Sequence, residues 1–94
     1  MNKILTKQKL PKWFNGELYT KGGEVTNPFS GESYELNNIE LSIYDFIIGA
    51  QHVFGIHQEK QPNKPINVKL INDFDKALYW FRTNNAEAYM VLLD

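Results

Sequence analysis

The clearest periodic pattern lies in the middle of the chain. Apolar residues over 39–54 recur every three or four positions, which is the spacing of a buried helical face. Asn37 precedes this segment and Glu40 follows three residues later, so the pair fits a capping box. A second apolar stripe leaves little polar surface on the segment. The pattern predicts a helix, ended by Gly55, that is either the central element of the fold or covered by a second copy.

Short extended segments before that helix predict β-structure. Segments 17–20, 24–27 and 33–36 fit strands, and Gly22-Gly23 is suited to a tight hairpin turn because glycine tolerates positive φ. Ser30-Gly31 predicts a second turn. A meander of two or three strands this short is not stable alone in water, so it must pack on the helix.

The last third of the chain predicts two more helices. Residues 73–83 carry an apolar face and begin at a polar cap, Asn72 or Asp73. The final segment, 86–93, fits a short helix capped by Asn84, although its apolar run is also compatible with a strand. Each of the two helices offers an apolar face that must be buried in the core or against a partner.

A polar stretch with two prolines separates the central helix from these last helices. Residues 57–65 predict an exposed loop. After it, residues 66–70 alternate between apolar and polar side chains, which predicts a strand; the alternative is an early start of the next helix, near Val68. The full pattern predicts an α+β fold: a short N-terminal β-meander over 17–36 packed on a central helix, with two C-terminal helices.

Composition limits the function classes. The 94 residues suit one domain, and the chain has 43% hydrophobic residues with six Phe, five Tyr and two Trp. The absence of cysteine excludes a disulfide scaffold, a thiol nucleophile and any Cys-ligated metal site. No apolar run approaches the ~20 residues of a membrane span, and the first residues lack the apolar core of a secretory signal. We therefore expect a cytoplasmic protein.

The net charge of −1 conceals an uneven distribution along the chain. Residues 1–12 carry no acid, whereas 13–50 carry six acids and a single base. We expect residues 1–12 to form a flexible basic arm before a single domain over 13–94. The arm is either a frayed terminus, a segment folded back on the acidic stretch, or a contact to nucleic-acid phosphates. The nucleic-acid candidates are its four lysines: Lys3, Lys7, Lys9 and Lys12.

Aromatic side chains are the strongest remaining signal. About half of the 13 rings fall on predicted buried faces, and five are left over: Trp13, Phe14, Tyr44, Tyr79 and Trp80. Trp, Tyr and Arg dominate the energetics of protein interfaces, so these five rings together with Arg82 are interface candidates. The alternative is that the rings cover the edges of a small core.

Catalytic and metal-binding patterns are sparse. His52 and His57 are five positions apart and miss the spacing that places two ligands on one helical face, so a metal site with Glu59 would need the loop to fold back. No glycine-rich phosphate loop or nucleophile elbow occurs. No cofactor is expected. The last helix carries one acid and no base, which excludes its use as a DNA recognition helix.

Two stretches of the chain carry a family resemblance. Residues 27–32 running into 40–47, and 77–82 running on to 88–94, resemble small uncharacterised proteins of marine bacteriophages, chiefly those that infect cyanobacteria. The resemblance covers about residues 11–94. It brings no catalytic motif, and it implies only a soluble viral protein made in a bacterial cytoplasm.

These observations favour a non-enzymatic protein–protein interaction module that associates with itself, as a homodimer, or with a host or viral partner. One alternative is a nucleic-acid-contacting protein that uses the basic arm beside Trp13 and Phe14. The other is a small enzyme or ligand-binding domain that uses His52, His57 or buried carboxylates. Partner binding at extra rings, salt-sensitive retention on nucleic acid, or a pocket that holds one of those groups would distinguish them.

Overall fold

The computed structural model describes residues 8–93 and has the predicted α+β architecture. Within this range, two short strands form an antiparallel sheet, and three helices follow. α1 and α2 form an antiparallel helical hairpin, because Tyr44 meets Phe81 near one end and Phe54 meets Phe74 near the other. The elements in chain order are β1 Gly23–Thr26, β2 Ser33–Leu36, α1 Asn38–Lys60, α2 Val68–Asn84 and α3 Ala86–Leu92.

The hairpin turn between the strands lies at 27–32, which confirms the predicted turn at Ser30-Gly31, whereas the hairpin turn predicted at Gly22-Gly23 is wrong because Gly23 is the first residue of β1. The Asn27 side chain accepts hydrogen bonds from the backbone N–H groups of Phe29 and Ser30, and Gly31 adopts a φ of 80°. The role of Gly22 is different: a Cβ there would collide with the Leu36 carbonyl oxygen, so the close approach of two backbones requires glycine.

The predicted strand at 17–20 is wrong, because this segment crosses the start of α1 without a strand partner. Side chains hold it there instead of a backbone ladder. The Tyr19 N–H donates to Ser42 Oγ over 2.8 Å, its carbonyl accepts from Asn38 Nδ2, and its hydroxyl donates to Asp45 over 2.9 Å. Two strands therefore remain, in the described residues, of the two or three that were expected.

The central helix is longer than predicted. Its N-terminal capping box is confirmed, with Asn37 and Glu40 exchanging hydrogen bonds. At the other end the helix continues through Gly55, His57 and Glu59 to Lys60, and Pro62 follows the C-cap. Gly55 does not adopt positive φ, and its place inside the helix costs about 1 kcal/mol relative to alanine.

The second helix begins early, so the predicted strand at 66–70 is wrong and the alternative start near Val68 is confirmed. The Asn67 side chain caps it by accepting from the N–H groups of the second and third helical residues. The final segment is helical, as predicted, but its cap is Asn85, not Asn84. Asparagine at each N-cap explains why three separate helices start where they do.

The buried core lies at one end of the helical hairpin. There α1 and α2 pack with α3, β2 and Phe14, and the fully buried side chains include Ile43, Ile47 and Phe81. By contrast, no side chain is buried over 51–72, a stretch that the structure describes throughout. The far half of the hairpin is thus two helices without a third layer. The buried contacts that stabilise the domain lie at the other end, where α1 begins and α2 ends, and we call this end the base of the hairpin.

Candidate functional site: an aromatic groove and a polar cleft

Three of the predicted interface rings come together near the C-terminal end of α2. Trp13, Tyr79 and Trp80 line a shallow groove of about 560 Å³, and we call it the aromatic groove. The other residues of its lining are polar: Asp75, Lys76, Thr83 and Asn84. Tyr79 is 62% exposed, so most of its ring is available to a partner.

The last turn of α2 positions the groove. The Thr83 hydroxyl donates to the Tyr79 carbonyl over 2.9 Å, and the Asn84 side chain donates to the Trp80 carbonyl over 2.9 Å. These side-chain bonds are additional to the backbone hydrogen bonds of the last turn. The two ring-bearing residues therefore sit on a fixed backbone, which limits the entropy lost when a partner binds.

Trp13 reaches the same groove from the opposite end of the chain. The Phe14 N–H donates to the Pro11 carbonyl over 3.1 Å, which forms a turn. The Trp13 ring then packs against Phe14 at 6.0 Å and against Phe46 at 5.9 Å between ring centroids. This aromatic contact anchors the segment before the sheet to α1.

Arg82 lies beside the groove and stacks on tyrosine rings. Its guanidinium carbon is 5.8 Å from the centre of the Tyr79 ring and 5.6 Å from that of Tyr89, which is cation–π distance. The structure thus places four of the six interface candidates, Trp13, Tyr79, Trp80 and Arg82, around one surface. This juxtaposition depends on the fold, because Trp13 is more than 60 residues away from α2's last turn in sequence.

The other two interface candidates belong to the interior. Phe14 is only 8% exposed and is part of the core, so its assignment as a surface ring is wrong. Tyr44 is half-buried against Phe81, with 6.4 Å between ring centroids, and burial raises the pKa of its hydroxyl. Both rings stabilise the base of the hairpin and do not reach the aromatic groove.

A second concavity, which we call the polar cleft, lies between the sheet and the start of α3. It measures about 960 Å³, and its central side chain is Glu40, which is 4% exposed. The Glu40 carboxylate accepts three hydrogen bonds: from Gln8 Nε2 at 2.7 Å, from Asn85 Nδ2 at 2.9 Å and from the Asn37 N–H at 3.0 Å. One buried carboxylate therefore ties together the caps of α1 and α3 and the segment before Trp13.

Sequence reasoning identified Glu40 only as a local cap. Its contacts to Gln8 and Asn85 span 32 and 45 residues, and no local spacing signals them. A buried carboxylate with all its bonds satisfied is typical of a structural centre. At the rim of the cleft the Tyr34 hydroxyl donates to Glu87 over 3.1 Å, and burial together with this bond raises the pKa of Tyr34.

Only part of the predicted basic arm lies within the described residues. Lys9 and Lys12 are exposed, while Lys3 and Lys7 lie outside that range. Gln8 packs against the polar cleft, where it also accepts a hydrogen bond from the Asn37 side chain over 2.8 Å. Gln8 thus contacts the domain through its side-chain amide, which bonds to Glu40 and Asn37. Of the two lysines of the arm that the structure describes, Lys9 and Lys12, neither pairs with a carboxylate of residues 8–93.

The weak metal candidates do not converge. His52, His57 and Glu59 all lie on α1, not in a loop, and the structure gathers no group of three His, Asp or Glu ligands anywhere in residues 8–93. His52 is exposed and His57 is half-buried. On one straight helix, the five-residue spacing turns the two imidazoles about 140° apart, so they do not share a ligand position.

Comparisons with known proteins find no match to this chain among family models, curated proteins or solved structures. The resemblance to marine phage proteins stays a prediction. Of the helices described in residues 8–93, none has both the length and the apolar character required to cross a membrane.

Proposed function

We propose that this protein is a small non-enzymatic interaction module that associates with copies of itself through the aromatic groove. The observation that carries the proposal is the convergence of Trp13, Tyr79 and Trp80 on one exposed surface, with Arg82 stacked beside it. Rings of this kind, held on a fixed backbone, contribute most of the binding energy at protein interfaces.

The polar cleft supports this proposal by its contrast with the groove. Its one buried carboxylate is occupied by structural hydrogen bonds that tie the caps of α1 and α3 to the segment at Gln8. In the groove, by comparison, the Tyr79 ring is 62% exposed, while Trp13 and Trp80 are half-buried and pack against the edge of the core. An exposed ring beside two half-buried rings forms an apolar surface patch of the kind found at partner sites.

The direct test is sedimentation equilibrium of the wild-type chain and of Tyr79→Ala at micromolar to millimolar concentration. We expect the wild type to associate, and Tyr79→Ala to weaken association by about 2 kcal/mol, roughly thirtyfold, because a central ring is removed. Val68→Ala is the matched control: Val68 lies on the same helix, is 67% exposed and does not line the groove. A strictly monomeric wild type would contradict self-association.

A further inference from the structure

The outer face of α2 carries an exposed tyrosine between two opposite charges. Asp75, Tyr79 and Arg82 are all exposed and follow the spacing i, i+4 and i+7. At 100° per residue, Tyr79 lies about 40° and Arg82 about 20° from the direction of Asp75, so the three share one side of the helix. An acid, a ring and a base therefore form a short row along the helix axis.

Neither charge of this row has an ionic partner in the described chain. Among residues 8–93, the only lysine or arginine within 4.0 Å of a carboxylate is Lys69, which pairs with Asp73. The Arg82 guanidinium lies over the faces of Tyr79 and Tyr89. Both charges are thus available to an external partner, and their order along the helix defines the charges that such a partner must present.

We propose that the partner is a second copy whose α2 packs antiparallel on this face, about a two-fold axis beside Tyr79. This inference rests on the proposed function and specifies its geometry. A two-fold interface uses the same patch on both copies, so the patch must complement itself. An axis between positions 78 and 79 places Asp75 of each copy opposite Arg82 of the other, because the two positions are equally far from it.

The same arrangement occupies the exposed ring and the groove. Tyr79 lies next to the axis, so the two Tyr79 rings meet at the centre of the interface, where a ring contributes most. On the groove side, Lys76 of the second copy comes within one residue of the level of Trp80, and an ammonium over an indole face is a favourable contact. Antiparallel helices at 8–10 Å separation bring such side chains within reach.

The charge pattern favours a second copy over nucleic acid. A phosphate backbone would be attracted to Arg82 and Lys76 but repelled by Asp75, which lines the groove itself. In the antiparallel pair, by contrast, Asp75 is a required partner of Arg82. When the second helix runs in the opposite direction, its Arg82 faces Asp75 of the first copy and its Asp75 faces Arg82. The row is therefore self-complementary.

Charge reversal tests this geometry. Asp75→Lys alone and Arg82→Glu alone each place like charges opposite one another twice per dimer, and each should raise the dissociation constant about tenfold at low salt. An equimolar mixture of the two variants should associate as tightly as the wild type. The reason is that the mixed dimer pairs the introduced lysine with the introduced glutamate and keeps one native pair of Asp75 with Arg82. The double variant D75K/R82E should associate with itself, because both pairs are then restored with their charges exchanged.

The double variant also serves as a control for lost stacking, because Arg82→Glu removes the guanidinium from Tyr79 and Tyr89. Glu59→Lys and Lys60→Glu are the matched surface controls, since both are exposed charges near the far end of α1. They should associate like the wild type. Circular dichroism on dilute samples checks that every variant is folded.

Two results would overturn the inference and leave self-association intact. In the first, the wild type associates and both single reversals associate equally well, so the interface lies elsewhere. In the second, both reversals weaken association but the mixture does not restore it, so the pairing is not reciprocal. A monomeric wild type would instead remove the proposed function together with this inference.

Discussion

The polar cleft and the aromatic groove lie at the same base of the domain and differ in almost every physical respect. In the cleft a buried carboxylate is surrounded by donors, and each of its bonds closes a contact between distant segments or caps a helix. In the groove, one exposed ring and two half-buried rings line an open surface beside an arginine without a carboxylate partner in the described residues. The bonds of the cleft are complete within one chain, whereas we propose that a second copy covers the groove.

This difference predicts that the two regions affect different properties of the protein, namely stability and association. Removing a cleft side chain strands buried donors, and their desolvation cost is then uncompensated. Removing the Tyr79 side chain of the groove leaves no buried polar group without a partner, because the ring is 62% exposed to water. We therefore expect substitutions in the cleft to change the free energy of unfolding, and substitutions in the groove to change association.

The largest expected effect is that of Glu40→Ala. It removes three hydrogen bonds to a charged group and leaves the Asn85 amide and the Asn37 N–H without their acceptor, so the free energy of unfolding should fall by about 3 kcal/mol. Urea denaturation measures this loss. Glu35→Ala, an exposed glutamate at the edge of the same cleft, is the control and should change stability by about 0.5 kcal/mol or less.

A smaller effect is expected at the rim of the cleft. Tyr34→Phe removes the hydrogen bond to Glu87 and should cost about 1 kcal/mol at neutral pH. Because the folded state raises the pKa of Tyr34 above its ordinary value of 10.0, its contribution is present below pH 10.0 and is lost as the pH rises through the raised pKa.

The pH dependence provides an independent check of that environment. The unfolding free energy of the wild type should decline above pH 10.0, and Tyr34→Phe should decline less steeply, with Tyr19 and Tyr44 supplying the rest because their pKa values are also raised. Chemical denaturation at a series of alkaline pH values measures both slopes. Equal slopes for the wild type and Tyr34→Phe would mean that folding does not raise the pKa of Tyr34, which would contradict the prediction.

The smallest effect belongs to a position outside both regions. Gly49 lies inside α1, is exposed, and has open space where a Cβ would stand, so no neighbouring helix approaches it within the described chain. Gly49→Ala should raise the free energy of unfolding by about 0.5–1 kcal/mol through helix propensity alone. Gly22→Ala is the opposite control, since its Cβ would meet the Leu36 carbonyl, and it should destabilise.

The elements that the sequence predicted well are those with local causes. The capping box at Asn37 and Glu40 starts α1, and the apolar periodicity identified the helices at the C-terminal end. The errors also have local causes. Glycine at position 55 suggested a helix end, but Gly55 does not adopt the positive φ of a C-terminal cap and α1 continues to Lys60. The alternation after Pro65 suggested a strand, but the Asn67 cap starts α2 there instead.

The candidate site was predictable in composition but not in assembly. Trp13, Tyr79, Trp80 and Arg82 were identified as surplus to the core, yet only the fold brings Trp13 to α2. Phe14, its neighbour, could not be distinguished from it by residue type, and the turn at Pro11 decides that one ring is buried and the other lines the groove. The long-range bonds of Glu40 carried no sequence signal.

The measurement that tests the central claim most directly is nuclear magnetic resonance of the wild-type chain over a range of concentrations, from tens of micromolar to millimolar. The indole N–H signals of Trp13 and Trp80 should shift as the protein associates, while the side-chain amide signals of Gln8 and Asn85 in the polar cleft should stay constant. Shifts in the cleft amides with constant indole signals would contradict the account.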